Sequence, residues 1–163
     1  MITILLLTIC AMDLDAQVVF SKFKFNKDSP LGCCPTRKMT DTKFKVTADK
    51  AIKTMKVHYS GVDQVNDAVC SDIVGGVNAN VKHTKYKIIN ITGPFEPGKT
   101  YSRWASATFY YPQKVTAFPR SIEIDYMDRT SDTITITKDN LAEFFPKLKW
   151  IDVDYEHGFQ PSN

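Results

Sequence analysis

Along much of the chain between Val18 and Thr137, apolar and polar side chains alternate in steps of two, the period of a strand that buries one face. In MKVHYSG, Met55, Val57 and Tyr59 fall on one side while Lys56, His58 and Ser60 fall on the other. VVFSKFKF (Val18–Phe25) sets Phe23 and Phe25 against Lys22 and Lys24, and KFKVTA (Lys43–Ala48) continues in the same manner. SIEIDYM turns Ile122, Ile124 and Tyr126 inward with Glu123 and Asp125 outward, and DTITIT repeats it with Ile134 and Ile136. AVCSDIV (Ala68–Val74), KHTKYKIINI (Lys82–Ile91), SRWASATFYY (Ser102–Tyr111) and KLKWIDVDY (Lys147–Tyr155) read as further strands.

Breakers punctuate these runs. GPFEPG (Gly93–Gly98) has the composition of a turn, DRTS that of a hairpin loop, and PQKVTAFPR that of a proline-flanked link. Only KDNLAEFFP (Lys138–Pro146) reads as helical, and Pro146 stops it after one or two turns. About eight strands at regular spacing predict an all-β fold, an antiparallel β-sandwich with one short C-terminal helix.

The first residues bear on where this fold works. ITILLLTICAM (Ile2–Met12) is an apolar run of signal-peptide length, too short to cross a bilayer, and LDA before Gln17 supplies a cleavage context. Residues 1–16 are expected to be a secretory signal and 17–163 a single β-sandwich domain, the alternative being a buried N-terminal strand. A length of 163 residues suits one domain with a real core. Loss of Asp13 and Asp15 with the signal leaves 16 of the 18 acidic side chains against 21 basic ones, a net charge of +5. That balance favours anionic lipid surfaces or glycans. The basic residues are scattered along the sequence, which argues against a nucleic-acid partner.

In a secreted, extracellular product, Cys33, Cys34 and Cys70 form an odd set. One bridge from Cys70 to Cys33 or Cys34 is expected, with the third thiol pairing between chains or lying buried. No second Cys/His pair stands at ligand spacing, so neither a metal site nor a cofactor is expected. The sequon NIT at Asn90 marks a glycosylation site.

Catalytic patterns are missing: the chain has no Gly-x-Ser-x-Gly elbow, phosphate loop, dinucleotide fingerprint or zinc-protease helix. His58, His83 and His157 stand far apart, on polar faces or in the tail. A non-enzyme is expected. The acidic groups in DVDYEH (Asp152–His157), and Asp125, Asp128 and Asp132 near the hairpin loop, read as solvated strand edges rather than Ca²⁺ ligands. The aromatic strand is more informative. With Ala105, Ala107, Phe109 and Tyr111 inward, Trp104, Ser106, Thr108 and Tyr110 share the opposite face. Exposed aromatics beside cations suit a membrane interface or a protein partner. Trp104 and Tyr110 are the candidate interfacial rings, with Arg103, Lys99 and Lys114 as the cations for anionic head groups. The alternative is a central strand whose Trp104 is covered by the 138–146 helix.

TKFKVTADKAIKTMKVHYSG, the GG that follows SDIV, and PGKTYS together resemble the C-terminal domain of animal lipases, the lipase-type PLAT β-sandwich. The likeness spans roughly Lys43 to Thr137. It implies docking on lipid surfaces or protein partners, in some members with loop-bound Ca²⁺, and no hydrolytic role of its own. KTYS and YYP are also similar to features of the ML lipid-recognition domains, although the usual ML cysteine pattern is missing. That second likeness implies a carrier whose hydrophobic ligand lies between the sheets, lined by Phe109, Ile122, Ile124 and Ile134. A third reading is a structural or interaction protein assembled through the odd cysteine or a free strand edge. In none of these readings is the chain an integral membrane protein.

Overall fold

The computed structural model describes residues 16–25, 37–69, 87–108 and 115–153. In chain order the strands are β1 (Val18–Phe25), β2 (Arg37–Val46), β3 (Ile52–Val62), β4 (Ala68–Val69), β5 (Lys87–Phe95), β6 (Thr100–Thr108), β7 (Thr116–Tyr126) and β8 (Ser131–Thr135), followed by α1 (Leu141–Phe144). They form two antiparallel sheets, as the alternation predicts. The first has the order β1-β2-β6; the second runs β4-β3-β7-β8, with β5 also on β3. β7 pairs with β3 from Ile52 to Val62, so β5 and the two-residue β4 share the other side of β3.

The inward residues of both sheets meet in one core, and rings dominate it. Phe20 stacks on Phe145 at 4.7 Å between centroids, and Phe44 meets Phe95 edge-on at 5.2 Å. Phe95 and Phe23 in turn contact Tyr101 and Tyr59. Such ring pairs add about 0.5–1.5 kcal/mol each beyond their buried area. Tyr59 is buried with its hydroxyl 3.3 Å from that of Thr40, and burial pushes its phenol up to about 12.

Three sequence expectations change. Gly93 and Pro94 belong to β5, and the turn is Glu96–Lys99, closed by Gly98 at φ 75°. Gly93 is required there, because a Cβ would lie 2.6 Å from the Ile52 carbonyl oxygen. Thr116–Arg120 of the proline-flanked link belong to β7, with Pro119 at a register shift between His58 and Tyr59. A bulge is one of the few strand positions that accepts proline. Lys147–Val153 is not a strand; instead Leu148, Trp150 and Ile151 pack on the core from outside, Trp150 edge-on to Phe118 at 5.4 Å. The short helix holds one turn within the Lys138–Pro146 run, and Phe144 with the adjoining Phe145 packs into the core beside β1 rather than covering Trp104.

Candidate docking face

Side chains alternate across a strand, so the pairing register decides which residues share a face. In the first sheet Phe20, Phe44 and Tyr101 are aligned, as are Phe23, Thr42 and Arg103. Between and beside these rows lie the outward ones: Val19, Lys45 and Thr100; Lys22, Lys43 and Ser102; Lys24, Asp41 and Trp104. A register shift between Phe20 and Lys22 keeps both Phe20 and Phe23 inward although they are three apart.

Among the described residues of these rows, four lysines therefore share the outward face with one carboxylate, a formal net charge of +3. Lys22 and Lys43 are direct cross-strand partners, a like-charge pair that costs a sheet stability. Asp41 is ion-paired with Lys22 and only 6% exposed. The ammonium groups of Lys24, Lys43 and Lys45 have no ion pair or hydrogen bond among the described residues. Trp104, in the same row as Lys24 and Asp41, is 71% exposed. A large ring in water beside solvated ammonium groups is an amphipathic surface.

Two of the cations singled out with Trp104 in the sequence, Lys99 and Arg103, lie elsewhere. Lys99 sits in the Glu96–Lys99 turn and pairs with Glu96. Arg103 points to the other side of β6, its guanidinium 5.3 Å from the Phe95 ring centroid and 5.8 Å from that of Tyr101. The lysines that do accompany Trp104 come from KFKF and KFKV, two alternating runs that the β1–β2 pairing lays side by side. Basic residues scattered in sequence thus become one patch in space. Tyr110, Lys114, Cys33, Cys34 and Cys70 lie outside the described residues.

On the outward face of the second sheet, Asn90, Lys56, Glu123 and Thr133 form one row. Lys56 Nζ donates to Glu123 Oε2 at 2.9 Å, His58 Nε2 lies 2.7 Å from Glu123 Oε1, and Thr54 Oγ1 donates to Asp125 Oδ2 at 2.7 Å. The hydrogen bond from Lys56, then that from His58, holds the Glu123 carboxyl below its ordinary range. Near the β7–β8 loop, Asp128 accepts from Thr130 and pairs with Lys50, while Asp132 accepts the Tyr126 hydroxyl. Among the described residues no group of three or more His, Cys, Asp or Glu is arranged to hold a metal ion, and no helix is long and apolar enough to cross a membrane. No family model, curated protein or solved structure matches the chain.

Proposed function

We propose that this chain is a secreted, non-catalytic β-sandwich that docks on anionic lipid surfaces through the outward face of its first sheet. The observation that carries the reading is the pairing of one exposed ring, Trp104, with Lys22, Lys24, Lys43 and Lys45 on a face where one carboxylate opposes four ammonium groups. Each lysine near an anionic membrane surface contributes about 1 kcal/mol, and a tryptophan prefers the level of the head groups. The direct opposition of Lys22 and Lys43 is unfavourable in the free protein and is relieved when phosphates come between them. Asn90 is exposed on the outward face of the opposite sheet, so a glycan there leaves the lysine face clear. The resemblance to lipase-type PLAT domains points to the same behaviour. A carrier needs room between the sheets, whereas ring contacts at 4.7 to 5.8 Å occupy the described part of that space.

Co-sedimentation with neutral and anionic vesicles at low and high salt tests the proposal, with solvent extraction of the same sample. Pelleting is expected only with anionic vesicles, is weakened by salt, and falls several-fold in Trp104→Ala. Extracted lipid without pelleting would favour the carrier. If neither is found, both lipid readings are wrong and a protein partner becomes the target.

A further inference from the structure

Among the described residues β1 pairs only with β2, and a groove of about 590 Å³ runs along its other edge. Its apolar lining is Phe20 and Phe23 of β1 and Leu148 of the segment after the helix. Ser21, Lys22, Lys24, Lys43 and Lys147 line the rest, four of them lysines. Three of these belong to the docking face, and Lys147 approaches from another part of the chain, so the groove opens where that face ends.

Among the described residues four ammonium groups line the groove and one carboxylate, Asp41, is paired to one of them, Lys22, which leaves a formal +3. Lys147, like Lys24 and Lys43, has no ion-pair partner among the described residues. A lone phosphodiester, at −1, leaves most of that charge unanswered. A phosphomonoester carries about −1.5 to −2 at neutral pH and three acceptor oxygens, a closer match to several separate ammonium donors. The apolar lining accepts the glyceryl and first methylene groups that accompany a lipid phosphate, which inorganic phosphate lacks. Trp104 lies two strands from the groove, roughly 10 Å away, so one membrane surface reaches both.

We propose that the β1-edge groove is a head-group site selective for lipids bearing a phosphomonoester. The inference rests on the docking reading and adds a lipid preference to it. The test uses vesicles matched for total surface charge, one set carrying a phosphomonoester lipid and the other a phosphodiester lipid. The expected result is half-maximal pelleting at about fivefold less phosphomonoester vesicle, the effect of roughly one further charge at the site. Lys147→Ala, at an exposed position, is expected to bring that ratio to one, with an unchanged melting temperature showing that the fold is intact. Equal pelleting of the wild type by both vesicle sets, or an unchanged ratio in Lys147→Ala, overturns the head-group site and leaves general docking standing. Pelleting by neither set overturns both. A soluble glycerol phosphate arm identifies the source: competition at concentrations no higher than those of the lipid would assign the groove to free phosphate esters and overturn the lipid site.

Discussion

On the outward face of the second sheet the central charges have neighbours that answer them: Glu123 takes both Lys56 and His58, and Asp125 takes Thr54. On the outward face of the first sheet one carboxylate answers one lysine, and three further lysines stand unpaired among the described residues. Both faces rest on the same period-two alternation and the same antiparallel ladders. A solvated face therefore has no need of unpaired like charges; the second sheet shows how this chain satisfies one. The first sheet, among the described residues, leaves three ammonium groups of like charge without that answer.

The largest effect should come from reversing that charge. Lys24→Glu, Lys43→Glu and Lys45→Glu combined are expected to weaken binding to anionic vesicles by more than about 100-fold, since each lysine near such a surface contributes about 1 kcal/mol. Lys56→Glu, on the other sheet, is expected to leave pelleting unchanged while slightly lowering the unfolding midpoint, as the loss of an exposed pair does. In the reversed triple variant the Lys22–Lys43 opposition becomes attractive while the Lys24–Asp41 opposition becomes repulsive, so its unfolding midpoint should stay close to that of the wild type. Equal loss of binding from the two faces would end the distinction between them.

Asp41→Asn sharpens the contrast at its centre. It removes the only carboxylate of the lysine face among the described residues, at a site 6% exposed, so unfolding in denaturant should show a loss of about 1–2 kcal/mol from the broken charge-assisted bond. The same change raises the charge of the face by one, and affinity for anionic vesicles should rise about fivefold. Lower stability with tighter docking is the signature of charges arranged for a partner. Loss of both would mean that Asp41 shapes the face rather than limiting its charge.

The two faces were unequally legible in the sequence. Alternation alone located β1, β3, the second half of β7 and β8, because each buries one side against the core. Gly93–Pro94 and Pro119 hid parts of β5 and β7, since residues that usually break strands are tolerated at the register shifts found there. Lys147–Val153 carries strand-forming residues that pack singly on the core without a ladder. Trp104 could be picked out as an exposed ring, but its company could not. KFKF and KFKV each show outward lysines, while the register that sets Lys22 beside Lys43 and Trp104 beside Asp41 is a long-range pairing that no local pattern encodes.

The smallest effect is a pH dependence confined to the balanced face. Lys56 and His58 hold the Glu123 carboxyl below its ordinary range, so its folded pKa lies under its unfolded one. The unfolded chain then binds more protons between those two values, and stability rises with pH across that window. The Glu123 contribution is complete above the ordinary glutamate value of about 4.3 and is lost as pH falls through the lower folded value. Melting temperatures of the wild type and Glu123→Gln should therefore differ at neutral pH and converge in acid, by a margin that added salt narrows because the pair is exposed. A gap that stays constant with pH would mean that Glu123 acts through packing across the β3–β7 ladder instead of through charge. Vesicle binding by Glu123→Gln should match the wild type at every pH where both are folded, since this carboxylate already spends its charge on its own sheet and faces away from the lysines.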